Sequence, residues 1–168
     1  TGDVVSVVNT TTGTFADVNV ATGIAVTPTG LSLTGAQARN YSLTVQTDLS
    51  ADITPKALTA LGTLSFTSKV YDGTTDATPA SGSAALQATE AAGAGTTSDG
   101  KPYSVDAVSL TGTATYSYNS KDVSTATTVT VNGLSLTGTG NGNYTLTDPT
   151  FSASITPKAL TATDGLAF

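Results

Sequence analysis

Apolar and polar residues alternate with period two along much of the chain. Leu31-Ser32-Leu33 and Leu134-Ser135-Leu136 put Leu on one face and Ser on the other. Tyr41-Ser42-Leu43-Thr44-Val45 and Tyr144-Thr145-Leu146-Thr147 do the same, and Val5-Ser6-Val7 and Val108-Ser109-Leu110 open similar runs. Period two marks a strand that buries one face of an antiparallel sheet and wets the other. Gly13, Gly30, Gly35, Gly133, Gly138, Gly140 and Gly142 punctuate these runs as turn signals. Short strands with regular turns predict an all-β, antiparallel β-sandwich-like architecture. One segment breaks the pattern. Residues 81–99 are rich in Ala, Gly and Ser, and Ala84-Ala85-Leu86-Gln87-Ala88-Thr89-Glu90-Ala91-Ala92 lies inside them. Helix propensity there predicts one short helix near 84–92, with a loop as the competing reading.

The alternating runs are also copies of one another. Gly30-Leu31-Ser32-Leu33-Thr34-Gly35 returns as Gly133-Leu134-Ser135-Leu136-Thr137-Gly138, an offset of 103 residues from 30 to 133. Asn40-Tyr41 returns as Asn143-Tyr144 at the same offset. Ile53-Thr54-Pro55-Lys56-Ala57-Leu58-Thr59-Ala60 returns as Ile155-Thr156-Pro157-Lys158-Ala159-Leu160-Thr161-Ala162, one residue sooner. Such a period exceeds the roughly 20–50 residues of a solenoid repeat and matches one small domain. The expected organisation is the C-terminal half of one repeat in 1–55, a complete repeat in 56–157 and the first strand of a further repeat in 158–168. On this reading 1–55 lacks a counterpart of Tyr71-Asp72-Gly73, so it borrows strands from a neighbouring chain or belongs to a longer protein. Targeting signals are expected outside this stretch.

Composition narrows the functions. Only 11% of residues are charged, while Thr is roughly one residue in five, which favours strands over disorder. The net charge is −6, and a nucleic-acid partner would call for a basic footprint instead. No window approaches the roughly 20 apolar residues of a membrane helix, so membrane insertion is not expected. Cys, Met, Trp and His are all absent. That removes disulfides and thiol chemistry, and leaves no imidazole base for catalysis near neutral pH. No Gly-x-Ser-x-Gly elbow occurs: Gly30-Leu31-Ser32 and Gly133-Leu134-Ser135 continue to Thr34 and Thr137. The chain is expected not to be an enzyme and to use no cofactor.

The junctions Ile53-Thr54-Pro55-Lys56 and Ile155-Thr156-Pro157-Lys158 should be extended, because Pro fixes its own φ and pushes the preceding Thr away from helix. Neither junction is Gly/Ser-rich, so the links should be stiff. At this point the chain resembles a known family. Lys69-Val70-Tyr71-Asp72-Gly73-Thr74-Thr75 is similar to the signature of YDG-type repeats, which are related to MBG repeats. Asp3-Val4-Val5-Ser6, Gly13-Thr14-Phe15-Ala16-Asp17-Val18-Asn19-Val20, Asn40-Tyr41-Ser42-Leu43 and Ala51-Asp52-Ile53-Thr54-Pro55-Lys56-Ala57-Leu58 fit the same pattern. Tyr116-Ser117-Tyr118 departs from it, standing where Gly13-Thr14-Phe15 falls in the first copy. The resemblance implies repeat tracts of large secreted or cell-surface bacterial adhesins, including filamentous-haemagglutinin-like exoproteins. There such repeats serve as stalk or spacer, and the partners implied are neighbouring repeats.

Two pairs of residues are candidates for binding. Asp72 and Asp76 flank a Gly-containing turn, and carboxylates with backbone carbonyls suit Ca²⁺. The competing and preferred reading is a tight turn in which Asp72 bonds nearby amides. Tyr116 and Tyr118 share one strand face and could contact a glycan, a matrix polysaccharide or a host receptor. The preferred reading buries that face, because Tyr118 aligns with Phe15. Tyr71 is expected to pack on the core and tie its hydroxyl to backbone.

Overall fold

Strands form over most of the alternating runs, though not over 41–45, and the long hairpin forms twice. The computed structural model describes residues 2–162, and the chain divides into two compact units between Pro55 and Lys56. In the first unit β1 (Ser6–Phe15), β2 (Ala21–Thr34) and β3 (Ser50–Ile53) form an antiparallel sheet in the order β1-β2-β3. The second unit opens with β4 (Lys56–Thr59) and β5 (Lys69–Val70). There follow β6 (Ala107–Tyr118), β7 (Thr128–Thr139), β8 (Tyr144–Thr147), β9 (Thr150–Ser152) and β10 (Ile155–Thr156). Strands β6, β7 and β9 make an antiparallel sheet in that order. Two further pairings are parallel, β4 with β8 and β5 with β10. The protein is all-β and sandwich-like, with these parallel pairs added to the antiparallel meander.

The meander is the same object in both units. Ser6 faces Thr34 and Phe15 faces Val26 in the first, and Ser109 faces Thr137 and Tyr118 faces Val129 in the second. Each of these partners lies 103 residues from its copy. Each hairpin carries one irregularity, between Asn9 and Thr12 and between Gly112 and Thr115. Two residues there oppose a single Gly, Gly30 or Gly133, which is the count of a β-bulge. Both glycines have positive φ, 83° and 79°. A Cβ on Gly133 would stand 2.4 Å from the Thr113 carbonyl oxygen, and one on Gly30 2.6 Å from that of Thr10. The bulge therefore requires Gly for conformation and for space. A 3-10 turn follows each hairpin, at Ala38–Asn40 and Asn141–Asn143. After it Tyr41 donates its hydroxyl proton to Asp3 Oδ2 at 2.9 Å, and Tyr144 does so to Asp106 Oδ2 at 2.7 Å.

What differs between the units is what covers the meander. In the second, Tyr118, Ala126, Val129 and Ile155 form a buried cluster, with Phe66, Tyr71, Ala77, Tyr116 and Ala153 packed against it. Phe66, Tyr71 and Ala77 belong to the stretch between β4 and β6, which the first unit has no copy of. Tyr118 is 5% exposed, and its counterpart Phe15 is 38% exposed. Strand β4 supplies Leu58 beside β8, and Ala60 follows just after it, both fully buried. The counterpart of β8 at 41–44 is not a strand and pairs with no strand among the described residues. Full burial of one Leu-sized side chain is worth roughly 1.5–3 kcal/mol, so the second unit holds most of the chain's hydrophobic stabilisation.

The helix expected over 84–92 does not form. That stretch runs extended and uses its backbone between neighbours. Gly62 N–H donates to the Ala85 carbonyl at 3.0 Å and Thr63 N–H to Ser83 at 3.2 Å. Further on, Glu90 N–H donates to Pro102 at 3.0 Å and Ser104 N–H to Glu90 at 2.7 Å. A helix this short is marginal in water whatever its Ala content. Cross-strand bonds and burial of the Glu90 carboxylate outweigh propensities of a few tenths of a kcal/mol per residue. Of the expected opening strand 158–168, residues 158–162 lie in no strand, and the remainder falls outside the described residues.

Candidate functional site

The turn at Tyr71-Asp72-Gly73 is built around a lysine ammonium. Lys69 sits on β5, and its Nζ donates to Asp72 Oδ1 at 2.8 Å, the Thr74 carbonyl at 3.0 Å and Thr74 Oγ1 at 3.1 Å. A further bond, 2.8 Å long, runs to the carbonyl of Asp76. Asp72 Oδ1 also accepts from Thr74 N–H at 2.9 Å, closing an Asx-turn. The Lys69 ammonium beside it, with the Thr74 amide, lowers the Asp72 pKa to about 2. Asp72 and Asp76 thus come together through one carboxylate and one backbone oxygen. The cation they surround is the chain's own ammonium. Among the described residues no group of three acidic side chains stands close enough to hold a metal ion.

The two candidate tyrosines belong to the same neighbourhood. Tyr118 is buried in the core cluster, its hydroxyl donates to the Thr67 carbonyl at 3.2 Å, and Lys69 Nζ lies 5.5 Å from its ring centre. Tyr116 is half-buried and meets Phe66 edge to face, with ring centres 5.4 Å apart. Tyr71 packs against the cluster and donates its N–H to the Thr156 carbonyl at 2.8 Å. Tyr71 therefore ties the turn after β5 to β10, the strand that closes the unit, while Lys69 and Asp72 hold the turn itself. Next to this cluster Phe66, Thr67, Ser68, Thr127 and Ser154 line an open groove of about 530 Å³. Hydroxyls ring the aromatic edge, and Ser68 and Ser154 bond to each other at 2.8 Å.

A second charged cluster has no counterpart in the sequence reading. Lys56 Nζ lies 2.5 Å from Glu90 Oε1, 3.0 Å from Asp99 Oδ1 and 4.2 Å from the centre of the Tyr103 ring. The lysine is buried and both acids are nearly so. Burial pulls the Lys56 pKa down, but the bonds to Glu90 and Asp99 outweigh it and hold the ammonium above its ordinary value. Asp99 accepts from Thr96 N–H and Lys101 N–H, and with Lys56 they hold its carboxyl well below the usual range. The only signal in the sequence is phase: Lys56 alternates with Leu58 and Ala60, so it shares their buried face. Glu90 and Asp99 sit in the stretch read as helix and loop, where no periodicity marked them. An ion cluster with every group paired clamps the 80–104 segment onto β4.

The family model described as YDG domain matches residues 1–48 and 54–151. No curated protein matches the chain, and neither does any solved structure.

Proposed function

The chain belongs to the YDG domain family, and we propose that it is a stalk or spacer repeat of a secreted or bacterial cell-surface adhesin. In such a protein it would extend an adhesive region away from the cell, without enzymatic activity or a cofactor. One observation carries this reading. The same long hairpin, with identical register, bulge and Tyr–Asp bond, is built twice in one chain, 103 residues apart. A repeated hairpin with the same Pro-Lys sequence after each copy suits a structure whose property is length. The charged residues support it too, because Lys56 and Lys69 are both engaged in holding a unit together.

The reading is tested on chains carrying two, three and four complete repeats. Small-angle scattering should give a maximum dimension that rises almost linearly with repeat number, and Pro→Gly changes at the junctions should shorten it while leaving the domains folded. Growth as the square root of repeat number would defeat the spacer reading. A glycan- or receptor-binding role, in contact with matrix polysaccharide or biofilm components, is the second reading. The groove beside Phe66, with its hydroxyl rim, is the observation that favours it. Binding on a glycan array that Phe66→Ala abolishes would decide for it.

A further inference from the structure

The cluster around Lys56 brings a primary amine and two carboxyl groups together largely out of water. Nζ lies 2.5 Å from Glu90 Oε1 and 3.0 Å from Asp99 Oδ1, and the Lys56, Glu90 and Asp99 side chains are 6%, 12% and 19% exposed. The Tyr103 ring walls one side. Gly95, at a φ of 67°, roofs another. A Cβ there would stand 2.2 Å from Glu90 Oε2 and 2.3 Å from Asp99 Oδ2, so these two oxygens lie beside each other under one point of backbone. Both Asp99 oxygens also receive backbone donors, Oδ2 from Thr96 N–H at 3.0 Å and Oδ1 from Lys101 N–H at 3.1 Å. The segments that carry the groups are themselves joined. Leu58 and Gly100 form a parallel bridge, Thr59 N–H donates to the Gly100 carbonyl at 3.4 Å, and Gln87 Nε2 donates to the Asp99 carbonyl at 2.9 Å. One carboxylate suffices to neutralise an ammonium. A second, touching the amine and lying beside the first, is what an acylation of that amine requires.

We infer that the Lys56 amine condenses with the Asp99 carboxyl into an intramolecular isopeptide bond, with Glu90 carrying the protons. The ionic cluster is the starting state, with Lys56 as ammonium and both acids ionised. One Nζ proton passes to Glu90 and on to Asp99 Oδ2, leaving a neutral amine and a carboxylic acid. The Nζ lone pair attacks Asp99 Cγ, and Lys101 N–H steadies the charge that gathers on Oδ1. Nζ then gives a second proton to Glu90, which hands it to the Oδ2 hydroxyl. The Cγ–Oδ2 bond breaks and water departs. The products are the Nζ–Cγ amide, one water and the Glu90 carboxylate, so the step balances without a co-reactant. Holding the groups in place is worth an effective concentration of roughly 10⁵–10⁸ M. Condensation also removes two opposite charges from a site where each is costly to desolvate. The hydrogen bonds that keep Lys56 charged oppose the first proton transfer, so the reaction is a slow, single event that follows folding. In the linked chain neither Lys56 nor Asp99 titrates, and the pH response of the ionic cluster belongs to the unlinked chain.

Mass spectrometry of the whole folded chain, kept for several days at neutral pH, tests this. The intact mass should fall below the sequence mass by one water. A tryptic digest should keep 40–69 joined to 70–121, with fragment ions placing the link between Lys56 and Asp99. Lys56→Arg keeps the positive charge but lacks the amine nucleophile, and should hold its full sequence mass. Glu90→Gln should link roughly 100-fold more slowly or less, the usual loss on removing an acid–base group. Circular dichroism verifies that both variants fold. A wild-type chain that stays at its full sequence mass overturns the inference, whatever the variants do. So does a water loss that persists in Lys56→Arg, as a succinimide at Asp99-Gly100 would give. A link found on Glu90 in place of Asp99, or a Glu90→Gln chain that links at the wild-type rate, overturns the roles assigned to the two acids.

Discussion

A lysine on the buried face of a strand is costly unless its charge is met, and Lys56 meets two carboxylates and an aromatic ring. Replacing it with Met should cost the second unit about 3–5 kcal/mol, because Glu90 and Asp99 then lose their cation. The drop is read from denaturant midpoints of the wild type and Lys56→Met. Acid titration gives a second check. The Asp99 pKa is lowered on folding, so its contribution is complete above the ordinary Asp value of about 3.9 and drains as pH falls through the lower folded-state value. The Lys56 pKa is raised, so its contribution is complete below about 10.4 and is lost as pH rises through the folded-state value. Stability attributable to the cluster should therefore be flat between these limits. The loss below pH 4 should be shallower in Lys56→Met, where only the backbone amides still favour the Asp99 carboxylate. Little of this was legible beforehand, because alternation reports which face a residue occupies and is silent on which distant acids converge there.

At the scale of elements, the bulge is where the hairpins are least forgiving. Gly133→Ala places a Cβ against the Thr113 carbonyl at a positive φ and should cost about 1–3 kcal/mol. Gly142→Ala meets nothing within 4 Å and should be nearly neutral. Denaturant melts of the two variants give the comparison directly. Strands β2, β6 and β7 could be read from the sequence because each turns one face toward burial in a long antiparallel hairpin, which is the situation that writes period two, whereas β1 is exposed along its whole length. The segment over 84–92 could not, because its conformation is set by backbone bonds to residues 62–63 and 102–104. Those partners are remote in sequence, and Ala is compatible with either state. Tyr118 and Asp72 were legible for the opposite reason. Core packing and an Asx-turn are local consequences of strand phase and of Asp before Gly.

At the scale of the whole molecule, the internal repeat pointed to a division near Pro55, and the compact units separate between Pro55 and Lys56. The repeat was legible because both copies survive as words in the sequence. The parallel pairings were not, since a parallel partner lies a long crossover away and leaves no local mark. Those pairings bear on how the second unit carries tension. The chain reaches it through the first residue of β4 and leaves just past β10. Pulling on the two ends drags β4 backwards along its axis and drags its partner β8 forwards, and the same opposition acts on β5 and β10. Every backbone bond in each pair is then loaded sideways at the same moment, in shear. Pulling apart the open ends of an antiparallel hairpin instead unzips its bonds one after another. Single-molecule stretching from residues 56 and 157 should therefore need several-fold more force than stretching across residues 107 and 139 of the β6–β7 hairpin, because forced rupture follows the unfolding barrier along the chosen direction. The unit would resist strongly along the line of the chain and yield readily across it.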